Sequence, residues 1–240
     1  VFDLTTMEPM KRHWLTKGAN IPMRYQKWDF QNIVDGLGKL PFSLTDWFDD
    51  LTSGKVILNL GDVGTTGVGL LLDGAPGRGK TTHAVSVLNE FVRAIPDDKL
   101  EACRLLHVSP NSYGLKFRPV YYLTMTDLLY RTKALFDADS DERARLQDEL
   151  DGFYGRARDD AYNVRLLVLD DVGKEYGSEY DKFSFDSIIR MRYDKGLPTI
   201  ITTNVDLNDW DETYSEAMQS FAHEAFRRVK LGGEDLRKAR

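Results

Sequence analysis

A single cysteine, Cys103, stands in a chain of 240 residues, which excludes an internal disulfide framework and a cysteine-rich zinc module. No apolar run approaches the ~18–20 residues that a membrane-spanning helix needs, so no membrane association is expected. Residues 1–12 lack the basic-then-apolar order of a secretory signal. An excess of positive charge is also missing: 38 acidic residues face 32 basic ones, for a formal net charge of −6. A chain that coats nucleic acid through bulk charge is normally basic, so any contact with DNA has to come from a local basic strip. These absences together lead to the expectation of a cytoplasmic protein. The hydrophobic share of 42% and the charged share of 29% are ordinary for a globular chain long enough to bury a sizeable core.

What is present is an alternation of strand-like and helix-like stretches. Residues 1–20 are polar and irregular and read as an N-terminal arm or the remnant of something longer, with the folded domain expected over 21–240. Residues 44–51 read as a short helix capped by Ser43. The run 67–72 is apolar and leads into a glycine-rich turn, after which 80–94 has helical periodicity. A strand is expected at 120–124, a helix at 126–136, and a solvated helix within the charge-dense stretch 137–160. Residues 164–169, apolar apart from Arg165, suit a buried parallel strand; 183–193 read as a helix and 198–203 as another strand. Such alternation argues for a parallel sheet with crossover helices.

The strongest chemical signal is Gly74-Ala75-Pro76-Gly77-Arg78-Gly79-Lys80-Thr81, which matches the P-loop pattern G-x-x-x-x-G-K-[ST]. Phosphate needs closely spaced backbone N–H donors, and glycines let the main chain wrap around it without Cβ clashes. A helix starting near Lys80 aims its positive dipole end at the same phosphates. Lys80 is expected to reach the β- and γ-phosphates of ATP and Thr81 to hold Mg²⁺, with Thr82 counted in the nucleotide-binding set. The run 164–169 ends in Asp170-Asp171, two carboxylates at the edge of a parallel sheet where ligands bind. Asp170 is placed to support Mg²⁺ and Asp171 to orient or deprotonate an attacking water; the other reading is a turn pair capping the next segment. The strand at 198–203 ends in Asn204, which can hold that water near the γ-phosphate or serve as a turn residue.

Loop, carboxylates and amide, in that order and each closing an apolar strand, resemble the DnaC/IstB family of AAA+ ATPases, which comprises helicase loaders and transposition helpers. The resemblance covers roughly residues 20–237. It also rests on Ile21-Pro22-Met23-Arg24-Tyr25, similar to the family's segment leading into the core, and on Ile201-Thr202-Thr203-Asn204, similar to its sensor-one strand. Phe226-Arg227-Arg228-Val229-Lys230-Leu231-Gly232 resembles its arginine-finger segment, and Leu236-Arg237 the close of its sensor-two motif. The resemblance implies a three-layer αβα P-loop NTPase core of the AAA+ type, with a parallel sheet and a shortened C-terminal lid. It puts Ile21 and Tyr25 near the adenine, makes Asn204 the water-positioning residue, and gives Arg228 the finger role, with Arg227 beside it as the alternative. Arg237 is expected to touch the phosphates.

The activity implied is Mg²⁺-dependent hydrolysis of ATP by a homo-oligomer, ring or spiral, that loads a replicative DNA helicase on single-stranded DNA. A transposition helper on double-stranded DNA, a small-molecule kinase and an ATP-binding switch with little turnover are the other readings. For single-strand contact the candidate is the stretch 102–119, where Arg104, Lys116 and Arg118 are interleaved with Tyr113 and Phe117; the other reading is a plain surface loop. His83 and His107 read as structural, and the acidic run 137–142 as a solvated face.

Overall fold

The apolar runs of the sequence lie side by side in one sheet. In the computed structural model, which describes residues 3–56, 67–173 and 178–233, the strands are β1 (Gly69–Asp73), β2 (Val120–Thr124), β3 (Leu166–Val172), β4 (Thr199–Thr203) and β5 (Phe226–Lys230). All neighbours are parallel, in the spatial order β2-β3-β4-β1-β5. Ahead of the sheet come α1 (Pro9–His13), α2 (Phe30–Leu37) and α3 (Phe42–Thr52). Between β1 and β2 lie α4 (Lys80–Ala94) and α5 (Lys99–Leu106); between β2 and β3, α6 (Met125–Asp137) and α7 (Ser140–Phe153). The helix α8 (Glu179–Asp194) precedes β4, and α9 (Trp210–Thr213) and α10 (Glu216–Ala225) precede β5.

The period of two along each strand splits the core into two layers. Leu70, Leu72, Val168 and Ile200 pack with Val85, Leu88 and Phe91 of α4 and Trp47 of α3. Leu71, Leu167, Leu169 and Ile201 pack with Leu128 of α6, Phe185 and Ile188 of α8, and Ala222 of α10. These strands are buried on both faces, which is why they read as nearly unbroken apolar runs. Each such side chain removed from water stabilises the fold by about 1.5–3 kcal/mol. The result is the three-layer αβα arrangement expected from the sequence.

Three expectations are corrected. Helix α3 starts at Phe42, because the Pro41 carbonyl already accepts from Leu44 N and Thr45 N; Ser43 therefore lies inside the first turn and does not cap it. Residues 1–20 are not irregular throughout: α1 runs into a π-helical turn, Trp14–Gly18, and Trp14, Leu15 and Ala19 are buried in the core. Trp14 Nε1 donates to the Gly114 carbonyl at 2.9 Å, and its ring meets Tyr113 and Phe117 edge-on at 5.4 and 5.8 Å. That same packing removes the expected base-stacking platform. Tyr113 and Phe117 are buried under Trp14, and the Arg118 guanidinium lies over the rings of Tyr121 and Tyr162.

The N-terminal segment also closes one border of the sheet. Tyr122 N donates to the Ala19 carbonyl at 2.8 Å, and Asn20 Nδ2 donates to the Tyr122 carbonyl at 3.0 Å. Covering the outer edge of β2 in this way satisfies main-chain groups that would otherwise invite another strand.

Candidate nucleotide-binding site

The site is assembled at the C-terminal ends of β1, β3 and β4. After β1, residues 74–79 turn sharply into α4, with Gly77 and Gly79 at φ 81° and 76°, a region that L side chains rarely enter. Gly74 is required by contact: a Cβ there would lie 2.3 Å from the Leu231 carbonyl oxygen. The loop leaves Ala75 and Pro76 exposed and Arg78, Thr81 and Thr82 half-buried, while Lys80 is almost wholly buried. The 15-residue α4 presents its N-terminal end to the loop, a ready site for an anion. His83, one turn in, places Nδ1 2.9 Å from the Gly79 carbonyl, and burial pushes its imidazole pKa down; its role is structural, as is that of His107, which ends α5 at φ 48°.

Lys80 joins two of the three strand ends. Its Nζ donates to the carbonyls of Gly74 (2.7 Å) and Ala75 (3.0 Å) and to Asn204 Oδ1 (2.7 Å). Thr81 joins the third, donating from Oγ1 to Asp170 Oδ1 at 3.0 Å. Residues 89 and 124 positions apart in sequence thus meet beside one loop.

Asp170 is 3% exposed, and its carboxylate accepts from two further hydroxyls that the sequence pattern did not single out. Thr202 Oγ1 donates to Oδ1 at 2.5 Å and Tyr122 OH to Oδ2 at 2.6 Å. Strand alternation explains the convergence: Tyr122 of β2, Asp170 of β3 and Thr202 of β4 share the face that α4 covers. Only the pairing of β3 with its neighbours, invisible in the linear sequence, could have revealed them. Burial, then the charge of Asp170, pushes the Tyr122 phenol well above its usual pKa, so it stays a donor.

Asp171 departs from regular strand geometry. Between Leu169 and Val172 the pairing with β4 slips, so that Asp170 and Asp171 together stand opposite Thr202. Asp171 takes φ 59°, and its N–H donates to Thr202 Oγ1 at 3.0 Å. A bulge of this kind re-aims a side chain, and a left-handed residue at such a place stores about 1–3 kcal/mol of strain. The single hydroxyl of Thr202 therefore orders both aspartates.

The donor set suits Mg²⁺. Thr81 Oγ1 and the Asp170 carboxylate are hard oxygen donors within one ion's reach, and among the described residues no cluster of three His, Cys, Asp or Glu could cage a metal. Mg²⁺ normally takes one or two carboxylates together with substrate phosphates. Partners that orient a metal-binding carboxylate are worth about 10–100-fold in metal affinity or activity. Tyr122→Phe is accordingly expected to raise the Mg²⁺ concentration needed for half-maximal ATP binding about tenfold. A titration indistinguishable from the parent chain's would remove Tyr122 from the site.

The arginines of β5 are held by their own chain. Arg227 pairs with Asp46 (2.6 Å) and Asp50 (2.9 Å) of α3. Arg228 pairs with Asp73, the last residue of β1, and with Asp206 at 2.6 Å, while Lys230 also reaches Asp206 at 2.7 Å. Lys230, the Asn208 N–H and Arg228 hold the Asp206 carboxyl well below the usual carboxylate range. Ile21 is buried and Tyr25 half-buried, the latter with the Arg24 guanidinium 4.7 Å over its ring. Ile21, Arg24, Tyr122 and Thr124 line a concavity of about 560 Å³ at the β2 border, and none of residues 74–82 lines it. Leu236 and Arg237, and with them most of the expected lid, lie outside the described residues.

No protein-family model matches the chain. It is 35% identical over 94 residues to an insertion sequence ATP-binding protein, y4pL, of Sinorhizobium fredii, a stretch that covers 37% of this chain and 38% of that one. It is 23% identical over 162 residues to the replicative helicase loader DnaC of Escherichia coli, covering 68% of this chain and 50% of the loader. The chain resembles the DnaC/IstB-like AAA+ ATPases. The matches span half or less of the length of these curated relatives. The crystal structure of the DnaC helicase loader superposes with a TM-score of 0.54 at 23% identity, covering 88% of this chain and all (100%) of that one. The replication initiator DnaA bound to AMPPCP and single-stranded DNA superposes at 0.52 with 15% identity, covering 90% and 52%. The strand order and the P-loop after β1 are those of the AAA+ P-loop fold. No described helix is long and apolar enough to cross a membrane.

Proposed function

We propose that this chain binds ATP with Mg²⁺, hydrolyses it to ADP and phosphate, and uses the cycle to load or remodel a replicative helicase on single-stranded DNA. The observation that carries the ATPase reading is the pair of contacts Lys80–Asn204 and Thr81–Asp170, which bring the three strand-end motifs to one cradle. Lys80 exchanges its present carbonyl and amide partners for the β- and γ-phosphates, and the loop 74–79 with Thr81 and Thr82 wraps them. Thr81 and Asp170 hold Mg²⁺, which offsets the charge developing on the transferred phosphoryl group. Asp171 accepts a proton from the attacking water or orients it, and Asn204 holds that water once Lys80 has turned to phosphate.

The helicase and DNA steps rest on relatives: DnaC is a replicative helicase loader, and DnaA superposes in a form bound to single-stranded DNA. Action as a homo-oligomer, ring or spiral, in the cytoplasm belongs to the same reading. A transposition helper on double-stranded DNA is the second reading, favoured by the 35% identity to an insertion sequence ATP-binding protein. The test is ATP hydrolysis with no DNA, with single strands and with duplex, beside Lys80→Ala. Turnover that single strands raise and Lys80→Ala abolishes supports the loader reading; stimulation by duplex alone favours the helper. Tight ATP binding without turnover under all three conditions would leave a switch in place of an ATPase.

A further inference from the structure

The resemblance gives Arg228 to a neighbouring subunit's active site, yet its surroundings bind it to its own. Its guanidinium makes a forked contact with Asp73, two oxygens of which lie 3.2 Å from Nε, and a second contact with Asp206 at 2.6 Å. Asp73 is only 1% exposed. A guanidinium that left it would strand a buried carboxylate, and breaking one partner out of a buried pair is strongly unfavourable. The fork also matches arginine rather than lysine, since a planar guanidinium can serve two carboxylates at once. Arg227 does not offer a substitute, because Asp46 and Asp50 engage it on the opposite face of β5.

The partners of Arg228 are placed with respect to the cradle. Asp73 immediately precedes Gly74, and the Leu231 N–H donates to the Asp73 carbonyl at 2.8 Å, so β5 grips the entry to the P-loop twice. Asp206 stands two residues after Asn204, and Asn204 Oδ1 receives Lys80, which in turn holds the carbonyls of Gly74 and Ala75. The path Asp73, Arg228, Asp206, Asn204, Lys80, Gly74 returns to its starting point. Lys230 gives Asp206 a second cation and keeps it seated.

We propose that Arg228 is a positioning residue acting within its own subunit, locking the turn that carries Asn204 to the entry of the P-loop through Asp206 and Asp73. The inference rests on the ATPase reading and deepens it, by assigning to β5 the distance between the water-holding amide and the phosphate cradle. It also separates two roles that a finger arginine would combine. Arg228 sets geometry, and any cation supplied across a subunit boundary has to come from elsewhere in the chain.

Asp206→Asn is the deciding variant, because it sits at the half-exposed end of the network and leaves the buried Asp73 pair intact. A positioning role predicts that Asp206→Asn and Arg228→Ala each lower kcat about tenfold or more, with ATP affinity within about threefold of the parent chain. The double variant should then be no slower than the slower single, as expected for residues on one path. A finger reaching across subunits predicts the reverse: freed from Asp206, it turns over as fast or faster, and mixing Arg228→Ala with Lys80→Ala subunits restores activity. Either result overturns the proposal. If the parent chain shows no turnover, the ATPase reading falls by itself, and hydrogen exchange on nucleotide-free protein still decides the inference. The amides of Asp73, Gly74, Ala75 and Gly77 and those of 203–207 should lose protection together in Arg228→Ala, and unchanged protection would end it.

Discussion

Asp171→Asn is expected to bind ATP almost as tightly as the parent chain and to hydrolyse it about 10²–10⁴ times more slowly, the usual worth of a positioned general base. The substitution is a clean one for structural reasons. Asn enters the left-handed region as readily as Asp, so φ 59° is kept, and the main-chain donation to Thr202 Oγ1 does not involve the side chain. What changes is the charge and basicity of the side chain, while the main-chain geometry of the bulge is kept. Single-turnover hydrolysis with a fluorescent ATP analogue separates binding from chemistry. Parent-like hydrolysis by the variant would return Asp171 to the role of a turn residue, the reading that the Asp-Asp pair also allows. Loss of binding along with hydrolysis would mean that the carboxylate serves the phosphates or their ion and not the water.

The second large effect lies at the other end of the sheet. Arg192 of α8 is wholly buried (0% exposed) and has no carboxylate partner among the described residues; it donates to Thr199 Oγ1 and to the carbonyls of Phe153, Val164, Arg165 and Pro198, at 2.7–3.2 Å. Burial, with a smaller contribution from Arg165, lowers its pKa to about 9, and it remains charged at neutral pH. Four carbonyl dipoles hold a cation that also ties the start of β3, the start of β4 and the end of α7 together. Replacing it with Met, of similar length, takes their donor from the carbonyls of Phe153, Val164 and Arg165, at about 1–3 kcal/mol each, while the Pro198 carbonyl keeps the Leu167 N–H. Arg192→Met should therefore lower the free energy of urea unfolding by about 4 kcal/mol or more, a large part of the ~5–15 kcal/mol that a domain holds. Loss below about 1 kcal/mol would show that water replaces the guanidinium, at a site where no water is expected to reach.

How far the sequence could be read depended on whether a signal was local. The P-loop, the strand at Val120–Thr124 and the helix Lys80–Ala94 were legible because their patterns lie within a few residues of one another. The Asp170 and Asn204 positions could be placed because each ends an apolar run. Tyr122 and Thr202 could not, since their place in the site comes from strands whose partners are 48 and 32 residues away. The bulge that displaces Asp171 has no composition signature, and the in-chain pairing of Arg228 spans 155 residues. Tyr113 and Phe117 misled for the converse reason. Aromatic residues alternating with cations look alike whether they face a nucleic acid or a tryptophan that is far off in sequence.

That distant tryptophan has a consequence for the chain as it is made. Trp14 and Ala19 find their partners at Gly114 and Tyr122, about a hundred residues later. Synthesis at roughly 5–20 residues per second leaves that segment without its docking surface for several seconds. During that interval an indole and a leucine, Leu15, stand in water, an apolar pair that other proteins can recognise. This stretch thus waits for partners made about a hundred residues later, and its protection in the meantime falls to whatever meets the nascent chain.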